Sequence, residues 1–246
     1  MNNQERVARL ETMIANGNVI RGQWTDGQER ACLLGALSPE AGNHKGAFAC
    51  PASVMPQWLA HLTPSMDDNG TLAAWPGMVK RYAAVAARWH VLSPETWRRL
   101  DHAARALIVR EARMHTADPR VLAAIDEVAN LLSKASSGEP VSDVDWSAAV
   151  AVAVAAGRAA AVAVAVAAGR AAARAAARAA ESAAAWSAAA AAAAARSARS
   201  AESAESAWSA AAAESAWSAA AAAWDRMTDG ILGLIEVACT EAEAGR

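Results

Sequence analysis

The densest gathering of side chains able to do chemistry is the segment CPASVMPQWLAHLTPSMDD, residues 50–68, which carries Cys50, His61, Asp67 and Asp68. An imidazole beside two carboxylates can hold a divalent metal or work as an acid–base pair. A hydrolytic reading would therefore give catalysis to His61, Asp67 and Asp68, with nearby arginines holding a nucleotide-like substrate. The spacing fits no established metal motif: HLTPSMDD is not HExxH, and no second histidine stands at i+4. The plainer assignment, preferred here, makes His61 a helix-end residue and Asp67-Asp68 turn formers ahead of Asn69-Gly70.

A second group is basic. Arg81, Arg88, His90, Arg98, Arg99, His102, Arg105, Arg110 and His115 fall on two adjacent predicted helices. Arg98, His102 and Arg105, at i, i+4 and i+7, share one helix face, which could bind a phosphate, a nucleotide or an acidic partner. Glu95, Asp101 and Glu111 lie among them, and a solvated, internally balanced face is the preferred alternative. His44, alone in AGNHKG, reads as solvent-facing. Cys32 and Cys50 read as buried, inert thiols. No Ser/His/Asp arrangement, glycine-rich phosphate loop or zinc spacing is present, so no cofactor or metal is called for.

The elements that must position these residues are helical. Val7, Leu10, Met13 and Ile14 recur at helical spacing behind Asn2 and Asn3, and Gly17 suits a left-handed end. Thr25 or Asp26 can cap a second helix that buries Cys32, Leu33, Leu34 and Leu37. Residues 38–51, rich in Pro, Gly and Asn, read as loop. Pro56, Pro76, Pro94 and Pro119 each stand where a helix begins, because proline costs nothing at the first helical position. Their apolar faces carry Trp58, Leu59 and Leu62; then Tyr82, Val85 and Trp89; then Trp97, Leu100 and Leu107; then Leu122, Ile125 and Leu131. The expectation is an all-α domain over 1–137, a bundle of five or six helices held by Trp and Leu packing.

Residues 138–145 form a linker in which Ser142 or Asp143 can cap the helix expected after it. From 146 to 224 nearly every residue is alanine. VAVAVAAGR occurs at 150–158 and again at 162–170. Its alternating valines allow a hairpin, but alanine is the strongest helix former and helix is the preferred reading. Arg170, Arg174 and Arg178 step by four. From Arg196 the chain moves in triplets, RSA, ESA and WSA, which suit close helix–helix approach rather than a leucine seam. Trp186, Trp208, Trp217 and Trp224 are the large knobs, and the first three are candidate binding residues alongside Arg98, His102 and Arg105. Over 225–246, Thr228 or Asp229 caps a closing helix carrying Ile231, Leu234, Ile235 and Cys239. That stripe has to dock on the first domain or on the Ala-rich helical array expected over 146–224.

Composition narrows the function. The formal net charge is −2, with 15 basic against 14 acidic residues in 1–140 and 8 against 11 in 141–246. This balance argues against nucleic acid. Three cysteines without a CxxC motif suit a reduced, cytoplasmic setting. The Ala-rich region is interrupted by charge too often to span a membrane. Ten Trp stand against one Phe and one Tyr, a bias that matches a GC-rich coding sequence.

The WSA, RSA and ESA units over roughly 146–224 resemble the Ala-rich repeats of uncharacterised phage and bacterial proteins, some described as immunity proteins. GQWTDG, ACLLGAL and CPASVMPQWLAHLTP are similar in style to phage accessory proteins. The resemblance implies a setting in phage–host conflict and the host cytoplasm, and it carries over no catalytic residue. The function expected is non-enzymatic: a helical interaction protein with a protein partner, and with self-association favoured by its small-residue helices. The alternative is the His61/Asp67/Asp68 ligand-binding or hydrolytic domain. A structural scaffold component is third.

Overall fold

The structure is a computed structural model that describes residues 1–26, 29–44, 46–149, 151–152, 155 and 191–245, and of residues 115 and 191–217 the backbone alone. The described residues are all-α, and the only β pairing among them is two isolated bridges, from Val19 and from Thr25 to Ala31. The helices are α1 (Asn3–Ala15), α2 (Leu33–Leu37), α3 (Pro39–His44), α4 (Gln57–Asn69), α5 (Trp75–Arg88), α6 (Pro94–Ala112), α7 (Pro119–Ser137) and α8 (Ala191–Ala244). Short 3-10 turns stand at Ala47–Ala49, Trp89–Val91 and Arg113–His115. A further helical segment covers 143–149.

The local reasons are visible in the termini. Asn2 and Glu5 form a reciprocal capping box at α1, the Glu5 N–H donating to Asn2 Oδ1 at 2.9 Å and the Asn2 N–H to Glu5 Oε2 at 2.7 Å. Ser93 caps α6 and Asp118 caps α7, each ahead of a proline in the first turn. Gly138 closes α7 at φ 85°, a left-handed geometry that a β-carbon would strain. Gly17 ends α1 with the positive φ expected of it. Ser142 and Asp145 cap the 143–149 segment reciprocally.

Three expectations need correction. Asp26 caps no helix; its carboxylate accepts from the Arg30 backbone and guanidinium. The cap of α2 is Cys32, whose Sγ accepts from the Gly35 N–H at 3.4 Å. Residues 38–51, expected as loop, hold α3 and the first 3-10 turn. Here Pro39 opens a short helix whose Glu40 takes a bidentate pair from Arg6 at 2.8 and 2.7 Å, so a tertiary contact overrides the loop-like composition. Third, no separate closing helix begins at Thr228 or Asp229. Thr228 is buried inside α8, which runs unbroken to Ala244.

The end of α8 is part of the core. Ile231, Leu232, Ile235 and Cys239 are at most 1 % exposed and join one cluster with Leu10, Leu33, Leu34, Leu37, Met55, Leu59, Tyr82 and Trp89. Each such side chain contributes roughly 1.5–3 kcal/mol by leaving water. α8 lies against α4, α5 and α6. Polar contacts flank the apolar stripe. Arg81 pairs with Asp229 at 2.8 Å and Glu236 at 2.7 Å, and Arg88 pairs with Glu243 at 2.7 Å and donates to Thr240. Asp225 accepts from the Thr71 N–H and hydroxyl at 3.0 and 2.7 Å, and Arg226 pairs with Glu111.

Candidate functional site

Helix α6 separates two clefts, and it carries the three expected binding residues of the compact domain. On one side lies a cleft of about 570 Å³, built from the start of α1 (Asn3), the 52–58 segment, the turn after α5 and the first turns of α6. Three indoles of its wall stand in edge contact, Trp58 meeting Trp97 at 6.2 Å between centroids and Trp97 meeting Trp89 at 6.1 Å. Behind the wall Trp89 meets the buried Tyr82 at 5.7 Å. Such edge-to-face pairs fix ring orientation beyond what burial alone would do. Arg98 and Asp101 stand on its α6 side.

On the other side is a cleft of about 580 Å³ between α6, α7 and the 143–149 segment. His102 stacks on Trp146 at 6.3 Å and 22°, with Arg105, Ile108, Val128 and Leu132 around them. The stack pins the 143–149 segment to α6, and Ala149 is buried there.

Charges along α6 are largely settled within the helix. Glu95 pairs with both Arg98 and Arg99, and Asp101 pairs with Arg105 at 2.7 Å. Pairs this exposed add only tenths of a kcal/mol. They nonetheless place a carboxylate where an incoming anion would have to sit. Four other basic residues go elsewhere: Arg81 and Arg88 to the carboxylates of α8, Arg110 to Ser133, and His90 to the Ala87 carbonyl. Arg98, His102 and Arg105 thus share α6 but are divided between two clefts.

The structure distributes His61, Asp67 and Asp68 differently again. α4 runs through Pro64 to Asn69, so the two aspartates belong to its last turn instead of a following loop. Pro64 is tolerated because the helix continues on the packing of Thr63, Met66 and Asp67, all buried. His61 and Asp68 are exposed, whereas Asp67 has no exposure. Asp67 Oδ2 accepts from the Leu33 N–H at 3.1 Å, at the start of α2, and Oδ1 accepts from Trp75 Nε1 at 2.7 Å. Burial pushes its pKa up to about 6, against the two hydrogen bonds, which favour the charged form. Asp68 accepts from the Gly22 N–H at 2.7 Å. The pair therefore fastens the 18–32 segment to α4, with each carboxylate already engaged.

The thiols are similarly occupied by structure. Cys32, Cys50 and Cys239 are free and buried, and burial pushes Cys32 up to about 11 and raises the other two. Thiolates are scarce under those conditions. Among the described residues, no group of three or more His, Cys, Asp or Glu is placed to hold a metal ion. No helix among them is long and apolar enough to cross a membrane. Trp186, Arg170, Arg174 and Arg178 lie outside the described residues, as do the side chains of His115, Trp208 and Trp217; of 150–170 only 151–152 and 155 are described, and the helix-or-hairpin choice for the whole stretch lies outside them.

The aromatic cleft is the feature that sequence reasoning missed. Trp58, Trp89 and Trp97 read as core knobs on three helix faces, and nothing in their spacing shows that they meet. The excess of Trp over Phe and Tyr was the available signal, and codon bias explained it equally well. Comparison with known protein families, curated proteins and solved structures gave no match for this chain.

Proposed function

We propose that the protein is a non-enzymatic interaction module in which a compact helical domain holds one end of a long helix and offers the rest of it to a partner. One observation carries this reading: α8 is 54 residues long, and its last third lies in the hydrophobic core. At 1.5 Å per residue the helix extends about 81 Å. A compact body of this size measures on the order of 40 Å across, so a helix rooted in it outreaches it. The outreaching part is Ala, Ser, Arg and Glu with two Trp, a composition whose use is close backbone approach by another helix. The internal pairing of Arg98 and Arg105 supports the helix over the α6 face as the meeting surface. The first partner expected is a second copy of the chain, and a phage setting rests on the resemblance of the repeats alone.

The test uses the full chain in sedimentation and native mass spectrometry over a concentration series, with Ala210, Ala211, Ala212 and Ala213 changed to Lys one at a time. Successive positions step about 100°, so the four sample the whole helix circumference. A dimer or higher oligomer that at least one variant disrupts, with the thermal transition of the domain unchanged, is the expected result. A monomer throughout, with all four variants indistinguishable from the parent, overturns the reading.

A further inference from the structure

Four buried polar side-chain atoms among the described residues lack a hydrogen-bond partner, and three of them belong to side chains lining the aromatic cleft: Trp58 Nε1, Trp89 Nε1 and Asn3 Oδ1. Buried polar groups in native proteins are almost always paired, by protein or by ordered water, so three unpaired ones on side chains lining one cleft ask for partners from outside the chain. The indole N–H groups can only donate, and the amide oxygen can only accept. A single partner that satisfied all three would bring two acceptor oxygens and one N–H. We propose that this cleft binds a small, flat, neutral ring of the cyclic amide or imide class, in which carbonyl oxygens stand beside an N–H; pyrimidine nucleobases belong to it.

The walls suit a flat ring. Trp97 meets Trp58 at 65° and Trp89 at 68°, so the three indoles form a corner. A planar ligand stacks on one face there and meets the edges of the others. A volume of about 570 Å³ lies within the range of small-molecule sites and leaves room for a substituent on the ring. The ligand is neutral because the charges beside the cleft are taken: Arg98 by Glu95 and Asp101 by Arg105. Trp89 is 2 % exposed, whereas Trp58 and Asn3 are half-buried. The three polar atoms are themselves shielded from solvent, so binding needs small shifts of the Trp58 and Asn3 side chains within the corner. No described side chain of α8 lines the cleft, so this proposal and the helix-mediated interaction stand or fall separately.

The test is a titration of the ¹⁵N-labelled full chain with uracil, followed at the indole N–H signals, with 1,3-dimethyluracil as the counterpart lacking a ring N–H. Trp58→Phe, at a half-exposed position, assigns one signal and keeps the aromatic surface. Asn3→Ala removes the acceptor and leaves the Asn2 capping box in place. The expected result is a saturable downfield shift of two indole signals with uracil, one of them missing in Trp58→Phe. That variant weakens uracil binding roughly tenfold, the loss expected for one hydrogen bond in a dry site. Asn3→Ala weakens uracil by a similar factor and leaves dimethyluracil unaffected. The proposal is overturned if no saturable shift occurs up to the solubility limit of uracil, or if the shift spreads over all the indoles. It is also overturned if uracil and dimethyluracil bind the parent equally, or if the Trp58 signal of the free protein already exchanges with bound water.

Discussion

Two stretches of one helix, residues 191–217 and 219–244 of α8, are helical for opposite reasons. The first is built mainly of strong helix formers, Ala with Arg and Glu, between which Ser and Trp stand, so local propensity favours the helix throughout. The second contains Gly230 and Gly233 in mid-helix, each of which would cost about 1 kcal/mol in an isolated helix. Packing overrides that cost. A β-carbon at Gly230 would run into a methyl of Leu107 on α6, so the glycine leaves room for that side chain against the helix. Where propensity makes the helix, the backbone needs no help from packing to be helical. Where packing makes it, the sequence is committed to the core.

The sharpest way to break this comparison is a cavity in the packed stretch. Leu232→Ala removes a side chain with no exposure and is expected to destabilise the domain by about 3 kcal/mol, within the roughly 2–5 kcal/mol usual for such sites. Chemical denaturation of the full chain checks it. A loss below about 1 kcal/mol would mean that the end of α8 is not part of the cooperative unit.

The next effect is a pH dependence of the base into which α8 is rooted. Burial holds the Asp67 carboxyl up at about 6, above its ordinary 3.8. The folded state therefore binds this proton more tightly than the unfolded chain does. Its contribution is fully present below pH 3.8 and is lost as pH rises through about 6, a change of at most about 2–3 kcal/mol. Glu40 acts in the other direction. The Arg6 guanidinium holds its carboxyl down at about 2, so that stabilisation is present above the usual Glu range and is lost as pH falls towards 2. Stability should rise between pH 7 and 5 and fall again in stronger acid. In Asp67→Asn the rise between 7 and 5 should disappear, as a series of denaturation midpoints would reveal.

How much of this was legible in the sequence differs between the same two stretches. Proline and Ser/Asp caps mark α5, α6 and α7 correctly, because those signals act within one turn of the chain. Asp229-Gly230 misleads for the same local reason. An acidic residue before glycine looks like a helix boundary, and only Leu107, more than a hundred residues away, shows that the glycine leaves room for a packed side chain. Asp67-Asp68 reads as a turn because the Leu33 N–H and Trp75 indole that engage Asp67 are contributed by other elements. The aromatic cleft was illegible throughout, since α1, α4, α6 and the turn after α5 each supply one part of it. Periodicity finds faces, but it does not say which faces meet.

A smaller effect separates the apolar from the polar fastening of the rooted stretch. Arg81→Met keeps the aliphatic stem that lies along α8 and removes the pairs to Asp229 and Glu236. Arg81 is 31 % exposed on its side chain and its partners more so, so screening by solvent limits the loss to about 1 kcal/mol. The difference from the parent should shrink further in high salt. An effect as large as that of Leu232→Ala would move the main fastening from the apolar stripe to the arginine ladder.

The smallest expected effect is the most diagnostic. Ala212→Gly places the same penalty of about 1 kcal/mol in the propensity-made stretch that Gly230 carries in the packed one. If residues 191–217 form their helix independently of the core, that penalty stays local. Helix content by circular dichroism falls slightly, while the unfolding free energy of the domain remains within about 0.5 kcal/mol of the parent. Amide exchange would separate the two stretches directly, with the residues around Ile235 protected to the global limit and those around Ala212 opening far below it. A full 1 kcal/mol loss in the global transition would show instead that the Ala-rich stretch is packed within the cooperative unit. Its small residues would then serve a contact inside the chain, and the reading of α8 as an offered surface would fail with the comparison.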